Sequence, residues 1–212
     1  MALIDITATV TPELVTWGNG ETSIERVWKS SMAKGAECNV SAFTIGSHCG
    51  THLDAPLHFI ADGATVDQLR LDDLIGACVV VEFPDLPGNI TAADLERAHI
   101  AESATRLLFK TSNTRRNLMA QHKFEPGFVA IAPDAAKWLV ARGVRTVGVD
   151  YISVGSTDGT GGETHRMLLS AGIVALEGLL LTDVSPGDYT LIALPLKIAG
   201  NEGCPMRAVL MR

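Results

Sequence analysis

Ser47-His48-Cys49-Gly50-Thr51-His52-Leu53-Asp54-Ala55-Pro56-Leu57-His58-Phe59 is the stretch on which the reading of this chain turns. Three of the six histidines fall within it, and an aspartate stands between the second and the third. His48, His52, Asp54 and His58 all occupy even positions. On an extended chain alternate side chains share a face. His48, His52 and Asp54 are therefore expected on one side of a strand, with Gly50 leaving space between them. Leu53, Ala55 and Leu57 would face a core. A helix is disfavoured, because Pro56 biases Ala55 away from helical angles and Gly50 weakens helical structure. Two imidazoles and a carboxylate on one face suit zinc, manganese or ferrous iron, with positions left open for water. A lone histidine is more often an ordinary core or surface residue, but that reading accounts poorly for this whole set.

Outward from the motif, residues 39–48 read as a strand running into it, and residues 10–34, polar and without a clean period, as a long loop with some helix. Leu3-Ile4-Asp5-Ile6-Thr7 reads as a first strand. Residues 77–83 and 106–110 are apolar, partly β-branched runs expected to be strands. Thr91 is placed to N-cap a helix over 92–98, with Asp94 in its first turn. Residues 128–132 read as a strand, then a helix from Pro133 to Arg142 with Gly143 just past its end, then a strand over 144–149. That order implies a local parallel βαβ unit. Residues 164–171 read as helix, and 173–176, 189–196 and 207–211 as strands. Interleaved strands and helices make the class α/β or α+β with a mixed sheet.

The chain has 212 residues, 47% of them hydrophobic and 19% charged. That fits a single domain over 1–212 with a sizeable core. A net charge of −7 without basic clusters argues against nucleic acid as a partner. No apolar run is long enough to span a bilayer, and the first 25 residues carry no signal-peptide pattern. Cys38, Cys49, Cys78 and Cys204 form no Cys-x-x-Cys pair. Reduced thiols in a cytoplasmic protein are expected.

His48-Cys49-Gly50-Thr51-His52-Leu53-Asp54-Ala55-Pro56-Leu57-His58 resembles the His-x-Gly-Thr-His-x-Asp-x-Pro-x-His signature of the cyclase-like metal hydrolases, which include bacterial kynurenine formamidases and isatin hydrolases. Val147-Gly148-Val149-Asp150, Glu177-Gly178-Leu179, Ala193-Leu194-Pro195-Leu196-Lys197, residues 203–205 and Arg207-Ala208-Val209-Leu210 extend the likeness over nearly the whole chain. The resemblance implies a swivelling β/β/α domain with a mixed sheet and surrounding helices, assembled as a homodimer or homotetramer. It implies that His48, His52 and Asp54 hold a first divalent metal, Zn2+ or Mn2+. His165 and Glu177 would complete a second position with Asp54 shared, giving one or two ions per chain. It implies His58 as the catalytic histidine and Trp17 as a wall of the substrate pocket.

Each role has a plainer alternative. Trp17 could be core packing, and Glu163 could stand in for His165. Arg207 could clamp a substrate carboxylate or form a structural ion pair. An acid at Glu177, after an apolar run, is costly to bury unless paired or metal-bound. The substrate implied is a small-molecule amide. The first reading is arylformamidase action on N-formyl-L-kynurenine; isatin or another cyclic amide, imide or lactone comes beside it. A metal-dependent cyclase or lyase is a third class, and a non-catalytic metal-binding module a fourth. Trp17-Gly18-Asn19-Gly20 departs from the formamidases' Trp-Pro-Gly run, and Tyr151-Ile152-Ser153 from their Thr-Pro-Ser run.

Overall fold

A computed structural model describes residues 2–17 and 23–212; Gly18, Asn19 and Gly20 of the departing N-terminal run lie outside them. The strands are β1 (Leu3–Asp5), β2 (Ile24–Ser30), β3 (Val40–Ile45), β4 (His52–Asp54), β5 (Ile75–Phe83), β6 (Arg106–Thr111), β7 (Thr146–Val149), β8 (Val174–Glu177), β9 (Gly187–Pro195) and β10 (Gly203–Met211). The helices are α1 (Leu71–Leu74), α2 (Ala92–Arg97), α3 (Ser112–Arg115), α4 (Pro133–Ala141) and α5 (Gly161–Ser170). Hydrogen bonding runs β10-β4-β8-β7-β6-β5-β9, and β9 pairs back onto β10, so seven strands close into a mixed barrel. β5 to β8 are mutually parallel, while β4 and β9 are antiparallel to their neighbours. This is the α/β class with a mixed sheet that the sequence pattern implies.

The parallel strands are buried on both faces, which explains their unbroken apolar runs. Leu108 and Leu176 point into the barrel with Val80, Leu191 and Leu210. Leu107, Phe109, Val147 and Val149 point outward against Ala135, Leu139 and Leu168 of α4 and α5. Local signals set the helix starts. Thr91 Oγ1 accepts from Asp94 N, and Asp94 Oδ2 accepts from Thr91 N at 2.8 Å, a reciprocal cap for α2. Pro133 occupies the first turn of α4, where its missing N–H costs nothing. No helix among the described residues is long and apolar enough to cross a membrane.

Two expectations are corrected, and for Arg207 the second of its two readings holds. Residues 128–132 form no strand beyond a single bridge between Ile131 and Ile90. Asparagine side chains satisfy that backbone instead: Asn113 receives Val129 N and Asn89 receives Ala130 N. The parallel unit is therefore β6, α4 and β7. The stretch read as loop contains β2, which pairs with β3 in a two-stranded ribbon exposing Val27, Trp28, Val40 and Phe43. Apolar periodicity fails there because neither face is buried. Arg207 forms an exposed ion pair with Asp5, tying β10 to β1, and clamps nothing at the motif.

β1 and β4 share one slot of the barrel. Residues 3–5 pair with 211–209 of β10 and residues 52–54 with 205–203, so both run in the same direction along one partner. Leu180 N donates to Ile6 O beyond the point where β4 pairs with β8. Thr51 stitches the junction: its Oγ1 accepts from Ala8 N at 2.8 Å and donates to Gly178 O at 2.6 Å.

Candidate metal centre

β4 supplies His52 and Asp54, two residues apart on one face, while Leu53 between them enters the barrel core. The alternation argued from the sequence holds for this pair and for Leu53 and Ala55, which are buried in the core, but not for His48 or His58. His48 lies in the turn before β4, where Gly50 takes a φ of +63°. His58 closes a single 3-10 turn, Pro56–His58, begun by the proline. Their side chains reach the same place by turns, not by strand parity. Glu177 of β8 sits in register opposite His52. His165 comes from α5, and its ring is stacked on Phe59 at 4.5 Å between centroids. The five residues expected to hold metal are thus brought together, with His58 beside them.

Asp54 lies at the middle. Its Oδ1 is 2.8 Å from His48 Nδ1, and its Oδ2 is 3.6 Å from His165 Nε2 and 3.9 Å from His58 Nε2. Glu177 bridges two imidazoles, Oε2 at 3.1 Å from His52 Nε2 and Oε1 at 3.4 Å from His165 Nε2. Val154 N also donates to Oε1 at 2.7 Å. His52 Nδ1 lies 2.9 Å from Gly50 O and His165 Nδ1 2.8 Å from Gly161 O. A carbonyl only accepts, so both Nδ1 atoms carry the hydrogen, and both rings turn Nε2 inward. The Gly50 carbonyl has room because residue 178 is a glycine, with a φ of +67°; a Cβ there would fall 2.2 Å from Gly50 O. Gly203 and Gly155 leave room for the rings of His48 and His165 in the same way.

Burial disfavours an imidazolium at His52, but the Glu177 carboxylate, with Asp54 behind it, outweighs that and pushes its pKa up to about 9. His165 is raised by Glu177 against the same burial. Burial works against the Glu177 carboxylate too, yet the hydrogen bonds from His165 and His52 hold its pKa well below the usual range. Burial is also the largest influence on His58 and lowers its pKa, so the free base is its resting form at neutral pH.

With the imidazoles neutral and donating through Nδ1, His48 Nε2 and His52 Nε2 are buried lone pairs that face carboxylate oxygens, and Asp54 Oδ2 is buried without a hydrogen-bond partner. Orphaned buried polar atoms are costly. Here they converge with the Glu177 carboxylate and the His58 and His165 imidazoles, a hard and borderline donor set that a divalent cation fits. His52, Asp54 and Glu177 form one such grouping, and His48, Asp54 and His58 another.

A pH prediction follows for chelator-treated protein. His52 has a raised folded-state pKa, so its contribution to stability is complete below its ordinary value of 6.5 and is lost as pH rises through about 9. The Tm of the chelated protein should fall across that window. The metal-loaded protein should gain over it, because metal displaces the proton from Nε2. Calorimetry at both ends checks this; a chelated Tm that climbs with pH would contradict the pairing described.

The centre opens into a cavity of about 330 Å³ walled by Trp17, Phe59 and Ile152, with His58 and His165 on its floor. Trp17 is 53% exposed, so it is not core packing. It rests edge-on against Phe124 at 5.2 Å, and buried Tyr151 backs Phe124 and Phe128. The departing run Tyr151-Ile152-Ser153 therefore shapes this wall. Glu163 is exposed and does not replace His165. Glu202 escaped the sequence reading: its Oε1 lies 3.4 Å from His48 Nε2. Its position just before the 203–205 run was the available signal.

Residues 4–156 match the family described as putative cyclase. The kynurenine formamidase of Salinibacter ruber is 40% identical over 99% of this chain and 97% of its own length. A protein of Bacillus stearothermophilus described as a predicted metal-dependent hydrolase has a TM-score of 0.84 at 32% identity, covering 99% of this chain and 97% of that one. Isatin hydrolase A of Labrenzia aggregata, at 23% identity and a TM-score of 0.83 over 99% of this chain and 93% of its own, shares the fold.

Proposed function

The chain belongs to the cyclase family, and from that premise we propose that it is a metal-dependent hydrolase of a carbon–nitrogen amide bond, converting N-formyl-L-kynurenine to kynurenine and formate. The observation that carries this is the convergence of orphaned His48 Nε2, His52 Nε2 and Asp54 Oδ2 beside an aromatic-walled cavity. The 40% identity to a kynurenine formamidase supports the substrate. His48, His52, Asp54, His165 and Glu177 would hold one or two ions of Zn2+ or Mn2+. Such an ion supplies a Lewis acid for the carbonyl and brings the pKa of water from about 16 toward about 7.

The chain's own side chains do the rest. Trp17, Phe59 and Ile152 bind the aryl ring and exclude water from the carbonyl. Asp54 and Glu177 fix the imidazoles. His58 Nε2 takes a proton from the attacking water and returns it to the leaving nitrogen as the C–N bond breaks. The free-base form that burial imposes on His58 is the form the first transfer needs. A cyclic amide is the second reading, because the apolar walls carry no cation among the described residues.

The test is hydrolysis of N-formyl-L-kynurenine by zinc- or manganese-reconstituted protein against a chelated control. Chelator-sensitive turnover is expected. Its absence in metal-loaded protein would remove this substrate and leave the cyclic amides.

A further inference from the structure

Arg166 stands apart from every other arginine among the described residues. Arg70, Arg97, Arg115, Arg116, Arg145 and Arg207 are in ion pairs. Arg106 is spent on backbone carbonyls, and Arg26, Arg142 and Arg212 lie over aromatic rings. Among the described residues, Arg166 has no carboxylate, no carbonyl and no ring as a partner. Its location gives that vacancy a use. It follows His165 on α5, and helical side chains lean toward the N-terminus. Its guanidinium accordingly lies over Gly162, with Nη1 and Nη2 both 3.4 Å from where a Cβ would stand. Gly162 lines the cavity beside His165. The guanidinium is thus in contact with the cavity rim, a single glycine away from the space a substrate fills.

We propose that Arg166 is a specificity-determining residue that receives an anionic carboxylate on the substrate, at the end remote from the scissile amide. This rests on the amide-hydrolase reading and decides within it. The walls of the cavity select an aryl group but do not distinguish a neutral ligand from an anionic one. A ligand whose amide lies by His58 and His165, and whose chain runs along α5 past Gly161 and Gly162, brings its far end to Arg166. A planar guanidinium offers paired donors matched to a carboxylate. The substrate is therefore an aryl amide with an acidic side chain; a neutral lactam leaves Arg166 unused.

N-formyl-L-kynurenine and N-formylkynuramine share the scissile bond and differ by the carboxylate. The wild-type enzyme should favour the first in kcat/KM. Arg166→Gln should reduce the ratio of the two kcat/KM values about tenfold at low salt, through KM, as loss of one charge-assisted contact at a solvated rim implies. Arg166→Lys should restore part of it, a readout that a general loss of structure would not give. No preference in the wild type, or one that survives in Arg166→Gln, overturns the proposal. If metal-loaded wild-type protein hydrolyses neither formamide, the parent reading has failed. Titration calorimetry of L-kynurenine against kynuramine then reads the same ratio in binding, and its persistence in Arg166→Gln overturns the assignment of Arg166 independently.

Discussion

His58→Ala is expected to lower kcat by about 10²–10⁴-fold, the usual worth of a positioned general acid–base group. Metal content should stay at the wild-type value. His58 sits where a proton carrier is required. Its Nε2 is 3.9 Å from Asp54 Oδ2, beyond hydrogen-bond distance, and its ring packs against His48 at 4.0 Å between centroids. Its side chain is 28% exposed and lines the cavity, whereas that of His52 is 1% exposed. Its burial-lowered pKa leaves it able to accept a proton at neutral pH. The alternative role is specific, because His58, His48 and Asp54 could together surround an ion. Elemental analysis beside the kinetics separates the two. A His58→Ala protein that loses its metal would make His58 a ligand and end its assignment as proton carrier.

Glu177→Gln should have the largest effect: loss of bound metal and activity at the level of the chelated control. The substitution preserves volume and an oxygen for Val154 N, so the barrel around β8 should persist. It removes one of the two carboxylate charges at the centre and turns an amide donor toward His52 or His165. Stripping the counter-charge from a buried ionic cluster costs about 3–5 kcal/mol. That is roughly 10²–10³-fold in metal affinity at least. Dialysis against a metal buffer followed by elemental analysis reads it directly. Full metal occupancy and full turnover in Glu177→Gln would show that Glu177 is a structural acid held by Val154 N and two histidines.

Much of the centre was legible because its residues lie close in sequence or violate a burial rule. His52 and Asp54 follow from strand parity, whereas Glu177 and His165 were reached through the family resemblance, with the cost of burying an acid after an apolar run in support of Glu177. Thr91 and Pro133 marked α2 and α4 through caps, which are local by nature. His48 and His58 were found for a reason that proved incomplete. A left-handed Gly50 and a proline-started turn, not an extended chain, aim them inward. The β2–β3 ribbon was invisible because both its faces are exposed and so leave no period. Residues 128–132 had strand composition, but side chains of Asn89 and Asn113 satisfy their backbone. Barrel closure depends on β9 pairing with both β5 and β10, contacts that no local pattern records. Arg166 was passed over because a lone arginine on a helix carries no signal until its neighbours are known to leave it unpaired.

The shared slot of β1 and β4 makes this enzyme a strand with a detour in it. The chain leaves the barrel after Ala8 and re-enters at Thr51, and the two ends are hydrogen-bonded to each other. Trp17 and the ribbon both lie on the detour, while His52, Asp54, His58, His165 and Glu177 lie off it; His48 and Gly50 sit on its last turn. The part of the wall that Trp17 builds can therefore be lengthened, trimmed or exchanged as a cassette, provided the returning turn is kept. In such a design new substrates are acquired by rewriting one excursion up to that turn, and the centre is inherited intact.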